Sequence, residues 1–398
     1  MLTNQLEKKY YFIYTALIFL ALGLLVSPTV VAGYHIFIVI PALMIFWKYK
    51  SELKLPRSSY ALLAISVWGL ASAFYNIDTL IKPSKSFQEV KYYLFGVLCI
   101  FPLKYFLEQG ARRHLKVILN ILCVTIIIAF FVGISKAWFQ FNPVKMSFGD
   151  YHDRSGGFVN YMRYGYGSAL LFVLGLNIFF NRADEKIKEI ITPKLFYPAL
   201  TLCFLAIGTS QCRGALLAVL VSLPFLLWRY KPKFAIFLVV LGSIFATSII
   251  YFSFISQSTN YRFININQGS NAVRTSQWQT AIKVIQEKPL FGLGPDQFSY
   301  NVKKYKTKYK LRYDYYSGHA HNILLEHGAN YGVAGIVLLL LFFALWFIEM
   351  VSLKSAFGWA IGSYIIAFFA GGQVELLFDV INSHILFFVY SFSQAIKK

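Results

Sequence analysis

NAVRTSQWQTAIKVIQEKPLFGLG (residues 271–294) and HAHNILLEHGANYGVAG (residues 319–335) sit in a polar, basic interruption between two blocks of apolar sequence. Asn271 suits a helix N-cap and Pro289 a stop, so the spacing predicts a helix over 272–287. At 100° per residue Trp278, Ala281, Ile282 and Ile285 form one apolar stripe, and Arg274 falls in its middle. An arginine there is turned toward an apolar neighbour, or else belongs to an interfacial helix that meets lipid phosphate.

Outward from this interruption the chain reads as membrane. It has 398 residues, 57% hydrophobic and 14% charged, with a mean hydropathy of +0.56. These values exclude an ordinary soluble domain and indicate an all-α polytopic membrane protein. Twelve spans are expected, near 11–27, 29–47, 59–75, 91–107, 115–134, 164–181, 195–210, 214–228, 234–254, 332–350, 354–371 and 374–393. The organisation that follows is nine spans over 1–254, a large helical loop over 255–331, and spans ten to twelve over 332–398. With the N-terminus inside, short inner loops collect most cations, among them Lys48, Lys54, Arg112, Arg113, Arg182, Lys186, Lys188, Arg229 and Lys231. The long loop then faces outward, as do Arg154, Arg163, Arg213, Arg274, His319 and His321. Lys8 and Lys9 precede an apolar run without a small-residue cleavage site, which reads as an uncleaved first span. A net charge of +21 sits in loops between spans, so anionic lipid or phosphate-bearing substrates are expected as partners, not nucleic acid. Cys99, Cys123, Cys203 and Cys212 read as small buried hydrophobes rather than a disulfide framework.

The chemistry gathers on the outward side. The span 214–228 is short, about 22 Å long, against a hydrocarbon core of about 30 Å. Arg213 is therefore expected below the surface in a cavity, with snorkelling to headgroups as the alternative. The run 300–316 interleaves tyrosines with lysines and suits either a phosphorylated acceptor or an interfacial belt. His319 and His321 lack a carboxylate or cysteine at familiar metal-ligand spacing, and histidine as a residue type suits general-base work. Asp150, His152 and Asp153 read as a turn presenting Arg154 and Asn160 rather than as a metal site. Glu375 and Asp379, four apart in the last span, are expected to neutralise buried arginines. No P-loop or nucleotide-binding glycine motif is present, so energy for a reaction must arrive in the substrate.

Three features resemble the O-antigen ligase and polymerase superfamily of envelope glycosyltransferases. These are His321-Asn322 followed by Gly332-Val333-Ala334-Gly335, the arginine segment 271–294 with its Trp, Pro and Gly-x-Gly, and TSQCRGA around Arg213. The resemblance covers about residues 150–350. It implies metal-independent, cofactor-free transfer of glycan from undecaprenyl diphosphate to lipid A-core oligosaccharide, at the periplasmic face of the bacterial inner membrane. His321 would be the general base. Arg213 and Arg274 would bind the diphosphate, with Arg154 through a looser motif, and His319, Asn322 and Trp278 would support them. A polymerase of the same superfamily is the near alternative. A transporter is the distant one, and it would need an inverted repeat and charges near the bilayer midplane, neither of which is visible.

Overall fold

A computed structural model describes residues 2–49, 54–109, 112–149, 154–255, 269–311, 318–378 and 380–396. It is built from helices, consistent with an all-α polytopic membrane protein. Helices α1 (Leu2–Gly23) and α2 (Pro28–Tyr49) form an antiparallel hairpin, followed by α3 (Arg57–Tyr75), α4 (Pro83–Leu98) and α5 (Ile100–Glu108). Sequence reading expects one span at 91–107. That span lies within one crossing-length stretch, Pro83–Glu108, interrupted at Cys99 because Pro102 has no N–H for the Leu98 carbonyl and its ring crowds that position. Helix α6 (Arg112–Phe139) leads to a two-residue hairpin, β1 (Phe141–Asn142) with β2 (Ser147–Phe148), and then α7 (Tyr161–Phe180). The short α8 (Glu185–Ile190) precedes α9 (Pro193–Thr209), α10 (Arg213–Trp228) and α11 (Pro232–Ile255).

Among the described residues, five stretches are long and apolar enough to cross a bilayer: Thr29–Trp47, Arg57–Tyr75, Pro83–Glu108, Arg113–Phe139 and Ile323–Val351. Lys9–Gly23, Pro193–Thr209, Arg213–Trp228, Pro232–Ile244 and Ala356–Gly372 are apolar but shorter.

The loop region contributes α12 (Gly269–Glu287) and α13 (Phe298–Lys308), and the chain ends with α14 (Ile323–Val351), α15 (Ala356–Gly372) and α16 (Val380–Ile396). Helix α12 starts before Asn271, which is therefore an interior residue and not the expected cap. It ends at Glu287 ahead of Pro289, as the sequence suggests. Its buried face is Gln277, Thr280, Ala281 and Val284, while Ile282 is 43% exposed. The apolar stripe is thus rotated from the expected one, because small polar residues pack beneath the helix and leave Arg274 on its flank. Val284, Phe298, Val302, Tyr305 and Ala320 form a small core separate from the main one. Tyr305 and Lys306, from the run read as docking a phosphorylated acceptor or forming an interfacial belt, are buried. The end of that run, 312–316, lies outside the described residues.

One kink ties the loop to the bundle. Gly332 has φ +74° inside α14, so the carbonyls just before it lose their helical donors. The amide of Leu293 donates to the Ala329 carbonyl at 2.9 Å, and Gly294 to Asn330 at 3.0 Å. Trp68 Nε1 from α3 donates to Tyr331 at 2.9 Å. The displaced Val333 amide donates to the Pro289 carbonyl at 2.7 Å. Phe291 stacks between Trp68 and Tyr75, with ring centroids 4.7 and 4.6 Å away. The loop after α12 is thereby fixed against α3 and α14.

The far end of α14 carries a different network. Glu349 accepts from the Ser58 amide and hydroxyl and from Gln394, capping the start of α3. It lies 27 residues beyond Asn322, roughly 40 Å along the helix at 1.5 Å per residue. The start of α14 therefore marks one end of the bundle, and the candidate site lies there.

Candidate functional site

The site is built around a turn. Gly318 (φ +112°) and His321 (φ +51°) bracket residues 318–321, and a left-handed conformation at a histidine is uncommon outside sites that hold it by contacts. Those contacts come from two carboxylates. Glu375 Oε1 lies 2.6 Å from His321 Nδ1. On the other side of the turn, Glu326 accepts from the Ala320 amide at 2.6 Å and from Asn330 Nδ2 at 3.2 Å, and lies 3.4 Å from His319 Nδ1. Asn330 in turn accepts from the amides of Gln297 and Phe298, so the histidine turn, α13 and α14 share one polar hub.

Asn322 holds the next position. Its side-chain oxygen caps α14 by accepting from Leu324 and Leu325 amides, and its Nδ2 donates to the Gln373 carbonyl at 3.0 Å. It therefore staples the histidine turn to the segment carrying Glu375. That segment is not the start of the last span, as the sequence suggests. Glu375 lies in the connection between α15 and α16, and α16 begins at Val380; Asp379 lies outside the described residues.

Arg274 reaches the same carboxylate. Its Nη2 is 3.4 Å from Glu375 Oε2, so one carboxylate joins an imidazole and a guanidinium contributed by α12 and the histidine turn. Burial pushes the Glu375 carboxyl up, but the His321 hydrogen bond and the charges of His321 and Arg274 outweigh it and hold the group below its ordinary range. For His319, burial opposes the charged form, yet the Glu326 hydrogen bond and the nearby Asp296 and Glu375 charges raise it to about 9. Its side chain is 46% exposed, so solvent weakens that pairing.

The head of α10 meets this cluster. A Cβ on Gly214 would collide with the Tyr166 hydroxyl and come within 2.8 Å of Val374, the neighbour of Glu375. Cys212 lies in electrostatic reach of Glu375 and Arg274, as does Tyr166. Arg213 is therefore placed at the edge of the site, but its side chain is exposed rather than sunk in a cavity as its short span suggests. Helix α10 begins at Arg213 itself, so the side chain leaves from the helix tip. Arg154 lies on the loop before α7. It stacks over the Tyr161 ring at 4.9 Å, and the Ser155 amide donates to the Thr209 carbonyl at 3.0 Å, holding this loop against the turn that leads to Arg213. Asn160 is occupied as the α7 cap, accepting from Met162. Asp150, His152 and Asp153 lie outside the described residues. Among the described residues, no group of three or more His, Cys, Asp or Glu side chains could hold a metal ion.

Of the sequence candidates, the fold joins His321 and Arg274 through Glu375, brings the head of α10 that carries Arg213 to the same cluster, and gives Asn322 a positioning role. Glu326, Gln373 and Tyr166 escaped sequence reading. Glu326 had a faint signal, a lone acid at the start of an apolar helix five residues after His321.

Residues 198–340 match the family model described as O-antigen ligase. The match supports a member of the O-antigen ligase superfamily. It spans Arg213, Arg274 and His321, so the three residues on which the resemblance was built fall within it. No curated protein matches the chain. The matched family implies a membrane glycosyltransferase-like enzyme, with a lipid-linked glycan and a lipid acceptor as partners in general. In this chain the partly helical segment 271–294 and the histidine turn, separate in sequence, meet on Glu375.

Proposed function

We propose that the protein transfers glycan from a polyprenyl diphosphate carrier, undecaprenyl diphosphate in bacteria, to a hydroxyl of lipid A-core oligosaccharide. The observation that carries this reading is the 2.6 Å contact between His321 Nδ1 and Glu375. A carboxylate accepts, so Nδ1–H donates and the lone pair remains on Nε2 for a substrate hydroxyl. The acceptor oxygen attacks the anomeric carbon as its proton passes to Nε2 of His321. The bond from that carbon to the diphosphate breaks, and the carrier leaves as its diphosphate. One displacement inverts the anomeric centre.

Charge at the leaving group is met by Arg274 and Arg213, whose planar forks suit paired phosphoryl oxygens, with Arg154 on the loop before α7. The starts of α7, α10 and α14 gather at the same end, and helix N-termini add partial positive charge there. This end faces the periplasm of the inner membrane in the orientation that the loop charges favour.

Transfer from a defined lipid-linked glycan by purified protein, with and without lipid A-core, tests the reading. A ligase makes the conjugate only when the core is present, whereas a polymerase lengthens the carrier-bound glycan without it. Movement of substrate with no new glycosidic bond would replace both by transport.

A further inference from the structure

Two hydrogen-bond donors on α12 end without an acceptor. Arg274 sends Nη2 to Glu375, but its Nε is shielded from solvent and has no hydrogen-bond partner among the described residues. The indole Nε1 of Trp278, one turn along, is in the same condition. Side chains four apart share a helix face, about 5–6 Å from each other. Buried donors are ordinarily satisfied, since leaving one unpaired is costly, and two successive ones beside a cationic site match a ligand rich in acceptor oxygens. The middle of α12 also faces the histidine turn: a Cβ on Gly318 would lie 3.9 Å from Nε2 of Gln277, the neighbour of Trp278. The far end of the helix is pinned to α14 by Ile285 against Gly328, so Trp278 has little freedom to swing away.

We propose that Trp278 binds the first sugar of the donor, its indole N–H on a sugar oxygen and its ring on the sugar's apolar face, while Arg274 holds the adjoining phosphate. This rests on the glycosyl-transfer reading. The division of labour follows from chemistry. A phosphate oxygen is best met by a charged fork. A neutral N–H on a broad apolar ring suits a hydroxyl or acetamido oxygen and the carbon-bound hydrogens beside it. The sugar's anomeric carbon is bonded to the diphosphate, so sugar and phosphate are separated by roughly the 5.4 Å of one helical turn.

The test compares two probes in direct binding, a polyprenyl diphosphate carrying one sugar and the bare polyprenyl diphosphate, using a set of common envelope monosaccharides. Trp278→Phe keeps the ring and removes the N–H. The variant should bind the glycosylated lipid about 3- to 10-fold more weakly and the bare lipid as the unaltered protein does, which also reports that it is folded. Arg274→Ala should weaken both. Unchanged affinity of Trp278→Phe for both lipids overturns the proposal, and so does an equal loss for both, which would mean a phosphate or structural role. An unaltered protein that binds neither lipid removes the glycosyl-transfer reading itself.

Discussion

His321 and Glu375, 54 positions apart, meet at 2.6 Å through Nδ1 and Oε1, and the second oxygen of the same carboxylate faces Arg274 at 3.4 Å. The imidazole proposed as base and the guanidinium proposed to bind phosphate are thus oriented by one group. Their separation is fixed by a residue that needs no contact with substrate.

Removing the imidazole should affect turnover and spare binding. His321→Ala is expected to lower kcat by about 10²–10⁴-fold, with donor affinity within a small factor of the unaltered value. Single-turnover transfer with a titrated lipid-linked donor measures both. Full turnover in this variant would end the base assignment.

Glu375→Gln presents an amide in place of a carboxylate. An amide N–H can donate to Nδ1, which favours the tautomer with the proton on Nε2 and removes the lone pair needed for the hydroxyl. A loss in kcat on the order of 10⁴-fold is expected by analogy with the aspartate of serine-protease triads. The pH–rate profile should be displaced as well. A profile superimposable on the unaltered one would mean that Glu375 serves only packing.

Arg274→Ala and Arg213→Ala should each raise the donor KM and lower kcat/KM. Lysine at either position should restore little, because an ammonium cannot reproduce a two-pronged contact. Arg154→Ala should cost least of the three, since its guanidinium lies over Tyr161. Competition by bare lipid diphosphate reports the phosphate contribution separately from the chemistry.

The His319–Glu326 pair has a pH signature of determinate sign. The Glu326 carboxylate holds the His319 imidazole above the ordinary histidine value of 6.5, raised to about 9. Its contribution to stability is therefore full below about 6.5 and disappears as pH rises through about 9. His319→Ala should lower the melting temperature in detergent at pH 6 and leave it nearly unchanged at pH 10. Its partial exposure keeps the effect small. An equal shift at both pH values would contradict the ion pair.

Gly332→Ala tests the kink. The residue has φ +74°, and a Cβ there would collide with the Leu290 carbonyl oxygen. A loss of stability of about 1–3 kcal/mol or more is expected, read by thermal unfolding. Because the kink frees the carbonyls that bind Leu293 and Gly294, donor binding by α12 should weaken as well.

Much of the fold was legible because its causes are local. Apolar runs near the length of a bilayer core announce helices, Pro289 stops α12, and the breaking capacity of Gly332 appears in its lack of a side chain. Where neighbouring elements decide, periodicity misled. The buried face of α12 is polar at Gln277 and Thr280 because it packs on protein rather than lipid, so the apolar stripe marked the interface only in part: Ala281 is buried while Ile282 is 43% exposed. Arg213 looked sunken from span length alone, whereas its position at the tip of α10 leaves it exposed.

The sequence by itself determined the class of the protein and its chemical vocabulary. Composition and run lengths reflect transfer free energies that each segment carries wherever it sits, and the arginine and histidine motifs are contiguous stretches. Only the tertiary structure decided that Glu375 belongs to His321 and Arg274, that Glu326 clamps the turn before them, and that Asn322 is a staple. Those are contacts between residues tens of positions apart or across a reversed turn, and their energies exist only once α12, α14 and the α15–α16 connection have been brought together.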